Sequence, residues 1–292
     1  MIRYEDEHFA DIQLLRYRLN GFEQLSKRQQ LYVYYLSQAT LYGRDITFDQ
    51  FGRYNLRIRK MLEAVYTSDR IDRDNDNFRA LEVYLKRVWF SSGIYHHYGT
   101  EKMIPEFDEC YLRQVLEQID LTSLPLCEGE TVGQLCDELF PVIFNPEILP
   151  KRVNQADGAD LVTTSACNYY QGLTQTEVED FYHAQKRDYK GQQPPSFGLN
   201  STLVKTPQGI EEQTWCADGK YGKAIKQIVY WLEKAKDVAE TPQQEEVTTA
   251  LIQYYKSGNL QDFNDYCIKW VKCHEGDIDY VNGFIEVYGD PL

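Results

Sequence analysis

Histidine and cysteine residues near the C-terminal end are the first candidates for chemistry. His274-Glu275 resembles the start of a zinc-binding helix, but such a helix needs a second histidine one turn later on the same face. The two positions one turn later hold isoleucine and aspartate. Cys267, Cys273 and His274 remain as a small cluster, but Cys267 also fits the apolar stripe of a helix. We therefore interpret this cluster as structural.

The adjacent pair His96-His97 is the second candidate. Adjacent side chains on regular secondary structure point in different directions, so at most one of these imidazoles is expected to bind a given ion. The sequence has no Gly-rich phosphate loop, no G-x-S-x-G turn and no catalytic Cys–His signature. The residues alone therefore predict no metal site and no complete catalytic site.

The elements that must position any site are mostly helical in the first half. The first apolar stripe has helical spacing and consists of Phe9, Ile12, Leu15, Leu19 and Phe22. Ser26 and Gln29 have the spacing of a capping box, and the helix that they open is expected to end at Gly43.

The middle of the chain changes to strand-like patterns. Residues 161–166 (LVTTSA) are rich in β-branched side chains, and a second capping box begins at Thr174. Residues 199–205 and 210–216 flank a Thr-Pro-Gln-Gly turn, which predicts a β-hairpin. Helical spacing then returns from Tyr221 onwards.

The ends of the later elements are also marked. A helix is predicted to begin at Thr241-Pro242 and to end at Gly258, and residues 280–288 read as a terminal strand. Because native termini are usually polar, this apolar ending leads us to expect a longer protein that continues beyond Leu292. The predicted class is α+β, a mostly helical shell on a small sheet. Its sub-regions are helical 1–158, β-containing 159–219, and 220–292, helical and then a terminal strand.

Composition excludes several classes of protein. The 292 residues are 42% hydrophobic and carry 31 basic against 45 acidic side chains, a net charge of −14. An acidic surface repels phosphate backbones, so we expect no nucleic-acid partner. No apolar run is long enough to span a bilayer, so we expect no membrane partner. Seven scattered cysteines are typical of a reduced compartment, which makes the cytoplasm the default location. A signal peptide removed upstream of Met1 would leave no trace here.

Residues 283–291 read GFIEVYGDP. This run is similar to the segment GFIESYRDP of the dipeptidyl peptidase III family, and further segments resemble the same family in the same order along the chain. Residues 162–170 resemble its threonine-rich strand before a helix, and residues 230–236 resemble its VEQLEKAK helix. Residues 34–43 and 93–102 are similar to its YLSRAAWYG and GNYKSFGDTK. Their shared order makes the resemblance more specific than any one segment.

The resemblance implies a zinc exopeptidase that removes dipeptides from the N-termini of peptides. Such enzymes have two lobes around a wide cleft, and a His-Glu-x-x-x-His helix and a Glu-Glu helix bind zinc in the other lobe. Neither motif occurs in residues 1–292. The chain would therefore be the lower, substrate-binding lobe, with helices on an incomplete β-barrel. Zinc would be bound outside this chain by the missing upper lobe, and the chain alone would be inactive.

The resemblance also assigns roles to two residues of the terminal motif. Glu286 would pair with the N-terminal ammonium of the peptide, and Tyr288 would donate its hydroxyl to the peptide backbone near the scissile bond. Two residues apart on a strand, they face the same side. Gly289 replaces the family's arginine, which leaves the contacts of that arginine open.

A second interpretation belongs to a different class of protein. The chain would be a non-catalytic helical interaction module, in which the many tyrosines bind a protein partner. Glu286 and Tyr288 would then be the solvent-facing side of an amphipathic strand. A stop codon directly after Leu292 would favour this alternative, whereas a downstream His-Glu-x-x-x-His helix would favour the peptidase.

Overall fold

The computed structural model describes residues 4–191, 193–284 and 289–292. These residues form helices and strands in both halves of the chain. The helices are α1 Lys27–Phe51, α2 Asn55–Thr67, α3 Asp76–Ser91, α4 Glu109–Leu116, α5 Val132–Phe144, α6 Gln175–Asp188, α7 Gly222–Asp237, α8 Pro242–Ser257 and α9 Leu260–Lys272. The strands are β1 Glu5–Phe9, β2 Ile12–Leu15, β3 Tyr170–Gln171, β4 Ser201–Thr206 and β5 Gly209–Thr214.

The chain divides into two compact units. The first unit comprises Met1–Arg18, Phe48–Ala159 and Thr164–Cys167. It holds β1, β2 and α2 to α5, and a large apolar core is formed chiefly by these helices. Ile58, Leu85 and Leu139 are fully buried in that core, each on a different helix. Burial of such side chains is the main favourable contribution to folding of this unit.

The second unit comprises Leu19–Thr47, Asp160–Thr163 and Asn168–Leu292. It holds most of α1, the helices α6 to α9 and a three-stranded sheet in the order β3-β4-β5. Strand β3 runs parallel to β4, and β4 pairs antiparallel with β5 over a tight turn. The predicted hairpin is therefore confirmed.

Local capping signals define the helix ends of the second unit as expected. Ser26 Oγ accepts from the Gln29 N–H at 3.2 Å, and Gln29 Oε1 accepts from the Ser26 N–H at 2.7 Å. Thr174 forms a complete capping box in the same way with Glu177. Helix α8 begins with Thr241 as its cap and ends at Gly258, whose φ of 68° is left-handed.

The helix predicted across residues 9–22 is wrong. This segment contributes to an antiparallel hairpin, β1 with β2, in which Phe9 lies opposite Ile12. Both of these side chains are buried, whereas Leu15 and Leu19 are more than half exposed. The C-terminal part of the apolar stripe is thus not buried. The hairpin buries the two apolar residues next to its turn, and it is therefore preferred over a helix.

Two further expectations also need correction. Helix α1 does not end at Gly43 but continues to Phe51, because Ile46 and Phe51 of the following turns are buried apolar residues. Residues 161–164 form turns and residues 165–166 have no regular structure, so this segment is not a strand. Asp160 Oδ1 accepts the N–H groups of Val162 and Thr163, and such local bonds compete with a sheet ladder.

The class α+β is confirmed by the helices and the two small sheets. Within residues 4–191, 193–284 and 289–292, the sheets have two and three strands and do not close into a barrel. The barrel-like arrangement is therefore not supported by the described strands. In the same residues no helix is both long enough and apolar enough to cross a membrane.

Candidate functional site

The terminal motif is the first place to examine for a site. Residues 285–288 lie outside the described residues. They include Glu286 and Tyr288, the two residues to which the resemblance assigns roles. The structure describes the chain on both sides of them, up to Phe284 and again from Gly289. Residues 280–284 are not part of a strand. The geometry of the candidate site is therefore that of its two flanks.

On the N-terminal side, Phe284 lies in a group of aromatic rings. Its centroid is 5.3 Å from that of Tyr255 and 5.4 Å from that of Trp215, both close to perpendicular. Tyr254 lies 6.2 Å away. The Tyr255 hydroxyl donates to Asn282 Oδ1 at 2.7 Å. Edge-to-face ring packing and this hydrogen bond hold the N-terminal flank against α8.

On the C-terminal side, Asp290 is held by Tyr170 of β3. The Tyr170 hydroxyl donates to both carboxylate oxygens, at 3.0 and 2.9 Å, and the Leu292 N–H donates to Oδ1 at 3.1 Å. Burial raises the pKa of the Asp290 carboxyl, while the two donors act in the opposite direction. The neighbouring Pro291 is buried. A partly dehydrated carboxylate thus depends on its hydroxyl donor.

Both flanks rest on the same sheet through a line of rings. Trp215, directly after β5, lies 6.0 Å from Tyr169, and Tyr169 lies 6.4 Å from Tyr170. Trp215 and Tyr169 are almost fully buried. The line therefore runs from Phe284 through Trp215 and Tyr169 to Tyr170 and ends at Asp290. We call these five residues the aromatic frame.

Hydrogen bonds to residues in and next to strand β4 fix the orientation of the Trp215 side chain. Its indole Nε1–H donates to the hydroxyl of Thr202 at 3.0 Å, and Lys220 Nζ donates to the same oxygen at 3.0 Å. Thr202 is fully buried on β4. The Trp215 N–H also donates to the carbonyl of Asn200 at 2.8 Å. These bonds fix the ring against which Phe284 packs.

The hydroxyls around Phe284 are suited to binding and positioning rather than to proton transfer. Burial raises the pKa of Tyr254 and of Tyr255 well above the usual value for tyrosine. Both groups therefore remain neutral hydroxyls at physiological pH. A general base needs a pKa closer to neutrality, so we assign neither residue that role.

The pair His96-His97 is closer together than expected. The two ring centroids are 4.4 Å apart, because the residues lie in a loop after α3 rather than on regular structure. His96 Nδ1 accepts the N–H groups of Tyr98 and Gly99 at 3.3 and 3.0 Å. Burial, with His96 as a smaller contribution, lowers the pKa of His97. The expectation that the rings diverge was wrong.

The C-terminal cysteine and histidine cluster lies at the end of α9. Cys267 is on the helix, Cys273 is its C-cap, and His274 follows. Cys273 and His274 line a pocket of about 250 Å³ together with Trp270. Over the described part of the chain, no group of three His, Cys, Asp or Glu side chains could hold a metal ion. Cys267, Cys273 and His274 therefore do not form the three-ligand set of a zinc site.

Comparisons with known proteins agree with the resemblance in the terminal motif. The model of peptidase family M49 matches residues 200–292, which include β4, β5, α7 to α9 and both flanks. Dipeptidyl peptidase 3 of Homo sapiens is 23% identical over 310 residues, which cover 93% of this chain and 41% of the human protein. The chain is therefore similar to dipeptidyl peptidase 3 over most of its length. Dipeptidyl peptidase 3 of Dictyostelium discoideum is 22% identical, over 98% of this chain and 43% of that protein.

A solved structure shows the same fold. Part of the DPP III from Caldithrix abyssi superposes on this chain with a TM-score of 0.53 at 14% sequence identity. The match covers 89% of this chain and 35% of the other. The chain thus spans about two-fifths of the length of its curated dipeptidyl peptidase relatives.

Sequence reasoning missed the residues that hold the flanks. Tyr169 and Tyr170 belonged to a segment quoted for the resemblance, and Phe284 and Asp290 belonged to another. No pattern within either segment indicated that they meet. Trp215 carried no signal beyond its place at the end of a predicted strand.

Proposed function

We propose that this chain is the substrate-binding lobe of a zinc-dependent dipeptidyl peptidase, a hydrolase that releases dipeptides from peptide N-termini. The observation that carries the proposal is the aromatic frame. It holds both flanks of the segment that contains Glu286 and Tyr288, within the region matched by peptidase family M49. A motif with a rigid support on each side is what a binding residue needs for accurate placement.

Glu286 recognises the N-terminal ammonium of the peptide in this proposal. A carboxylate in a cleft forms a charge-assisted hydrogen bond with an ammonium group, which is stronger than a neutral bond. Because only the first residue of a peptide carries this group, the bond fixes which peptide bond comes next to the reacting centre. Release of dipeptides, rather than longer or internal fragments, follows from that register.

Tyr288 donates its hydroxyl to the peptide backbone near the scissile bond. A donor directed at a carbonyl oxygen orients the peptide and stabilises negative charge that develops there during attack. Zinc supplies Lewis-acid chemistry when it is bound, and we place its ligands in the part of the longer protein outside this chain. The partners of this lobe are then short peptides and the upper lobe, with neither nucleic acid nor membrane among them.

The remaining parts of the proposal concern architecture and location. Residues 1–292 form the lower lobe, with the sub-regions 1–158, 159–219 and 220–292. The sheet β3-β4-β5 is completed towards a barrel by strands from elsewhere in the longer protein, because an uncovered sheet edge is prone to pair with other chains. The cytoplasm is the proposed location, in keeping with seven free cysteines.

The second candidate function is a protein-interaction module. An exposed aromatic group favours it: Tyr34 and Tyr230 are each about half exposed, at 49% and 50%. In the same group, the rings of Tyr35 and Trp231 are stacked, with centroids 5.9 Å apart. Exposed aromatic groups of this kind often contact partners.

The coding sequence beyond Leu292 tests the proposal. The peptidase requires a His-Glu-x-x-x-His helix and a Glu-Glu helix in the continuation, and the full protein must release dipeptides from a peptide with a free N-terminus. A reading frame that stops directly after Leu292 would refute the peptidase and leave the interaction module.

A further inference from the structure

Helices α4 and α5 of the first unit enclose a groove of about 450 Å³. This volume lies within the range that is usual for pockets that bind small molecules. The groove combines charged and apolar side chains. Those that bear on recognition are Glu109, Arg113, Asp137, Phe140, Pro141 and Phe144.

Arg113 is the cationic hydrogen-bond donor of the groove. Its guanidinium nitrogens lie 3.8 Å from Glu109 Oε1 and 3.9 Å from Asp137 Oδ1, which is beyond hydrogen-bond distance. Within the described part of the chain, these N–H groups have no acceptor at hydrogen-bond distance. The side chain is also 43% exposed. A planar fork of N–H groups without acceptors is suited to bidentate binding of a carboxylate.

The two carboxylates beside Arg113 decide which pattern of charges the groove accepts. A simple anion on the guanidinium is repelled by Glu109 and Asp137, and a simple cation on either carboxylate is repelled by Arg113. A ligand whose own carboxylate and ammonium group are neighbours avoids both repulsions, because each of its charges meets the opposite one. An α-amino acid carries this pair of groups on one carbon atom.

Pro141 provides a further acceptor for an ammonium group. It lies inside α5 and has no N–H to donate to the Asp137 carbonyl one turn earlier. Both residues line the groove, so this carbonyl lies at its wall. Because an ammonium group has three N–H donors, it can bind the carbonyl and a carboxylate together.

Aromatic rings form the apolar part of the groove. The Arg113 guanidinium lies over the buried Phe140 ring, 4.9 Å from its centroid. Phe144 packs on Phe140 with centroids 5.5 Å apart, and it is only half-buried. Phe144 and the exposed ring of Pro141 are therefore available to a ligand side chain. An aromatic side chain gains a large apolar contact on such rings.

We propose that this groove binds a free α-amino acid with an aromatic side chain. The ligand carboxylate binds the Arg113 guanidinium, and its ammonium group binds the carboxylates of Glu109 and Asp137. Its ring packs on Phe144 and Pro141. The proposal is independent of the proposed function, because it uses none of the residues to which that function assigns a role.

The first test is calorimetric titration of the full protein that the gene encodes with L-phenylalanine. We expect saturable binding. Phenylalanine amide lacks the carboxylate and phenylpropionate lacks the ammonium group, so each should bind about tenfold more weakly or worse. Alanine lacks the ring and should also bind more weakly. Absence of saturable binding overturns the proposal. So does phenylpropionate that binds as tightly as phenylalanine, since the groove would then be a site for simple anions.

The second test places the ligand in this groove. Arg113→Gln should weaken phenylalanine binding about tenfold or more, and Phe144→Leu should weaken binding of phenylalanine more than that of alanine. Arg79→Gln is the matched control. It removes an arginine that pairs with Asp76 at 2.7 Å on α3 of the same unit, and it should keep the wild-type affinity.

Wild-type affinity in Arg113→Gln contradicts the proposal, because phenylalanine would then bind elsewhere on the protein. Circular dichroism checks that each variant is folded. If Arg113→Gln does not fold, the comparison of phenylalanine with its amide and with phenylpropionate on the wild-type protein decides the question without it.

Discussion

The Tyr170 hydroxyl donates to both carboxylate oxygens of Asp290 across 120 positions of sequence, at 3.0 and 2.9 Å. The bond joins the first residue of β3 to the last part of the motif that resembles dipeptidyl peptidase III. Burial raises the pKa of Asp290, so this carboxylate has lost part of its hydration and depends on the donor. A long-range bond of this kind ties the terminal motif to the sheet.

Glu286→Gln tests recognition of the peptide ammonium. The substitution removes the charge but keeps the shape of the side chain. We therefore expect kcat/KM on a free peptide to fall about 30- to 1,000-fold, which corresponds to a loss of about 2–4 kcal/mol in transition-state binding. The loss should be much smaller for a substrate with an acetylated N-terminus, which carries no ammonium. Steady-state kinetics of the full protein on both substrates measure this difference, and equal losses would show that Glu286 supports the fold instead.

Tyr288→Phe tests the contact near the scissile bond. If the hydroxyl acts mainly in the transition state, the substitution should lower kcat and leave KM nearly unchanged. The loss should be the same for free and acetylated peptides, in contrast to Glu286→Gln. An increase in KM at constant kcat would instead place the hydroxyl in ground-state binding.

The 292-residue chain on its own should not hydrolyse a dipeptidyl-arylamide substrate when zinc is added. A catalytic zinc site needs three protein ligands and an open position, and the residues for which the structure gives side chains contain no such group. The measurement is arylamine release by the purified chain with and without zinc. Turnover that depends on zinc and is removed by His274→Ala would show that the cluster around Cys273 binds a catalytic ion.

Thr202→Val should destabilise the second unit. The valine has nearly the same shape but offers no acceptor to Trp215 Nε1 in the interior, and Lys220 also loses a bond to this oxygen. We expect a loss of about 1–3 kcal/mol in the free energy of unfolding. Urea denaturation measures it, and Thr202→Ser, which keeps the hydroxyl, is the control. A Thr202→Val variant as stable as wild type would contradict the role of the hydroxyl.

Asp160→Asn should change how stability depends on pH. Burial tends to raise the pKa of Asp160, but N–H donors, among them those of Thr163 and Gln175, outweigh it, and the pKa lies below the usual value. A lowered pKa means that the carboxylate stabilises the fold above pH ~4, and that this contribution is lost as the pH falls through the folded-state pKa.

The substitution should therefore cost about 1–2 kcal/mol at pH 7 and make the decrease below about pH 5 less steep. Denaturation midpoints at several pH values measure both effects. The exposed Asp157 of the same loop is the control, and Asp157→Asn should leave the curve unchanged. Parallel curves for wild type and Asp160→Asn would contradict the assignment.

Local patterns in the sequence predicted much of the secondary structure. The capping boxes at Ser26 and Thr174, the helix end at Gly258 and the β4–β5 hairpin are all confirmed. Each depends on residues within three or four positions of one another, so its energy is decided locally. The helix predicted for residues 9–15 was wrong because the spacing of these apolar residues is compatible with both a helix and a hairpin. Burial of Phe9 and Ile12 favours the hairpin.

The sequence by itself determined that the terminal motif resembles dipeptidyl peptidase III, and the comparisons support this. Only the tertiary structure decided what holds that motif. Phe284 meets Trp215, and Asp290 meets Tyr170, although these partners are far apart in the chain. Such contacts carry no periodicity and no fixed spacing, because they form where packing of separate elements brings side chains together. For the same reason the close approach of the His96 and His97 rings could not be predicted from the sequence, because it depends on the conformation of a loop rather than on regular secondary structure.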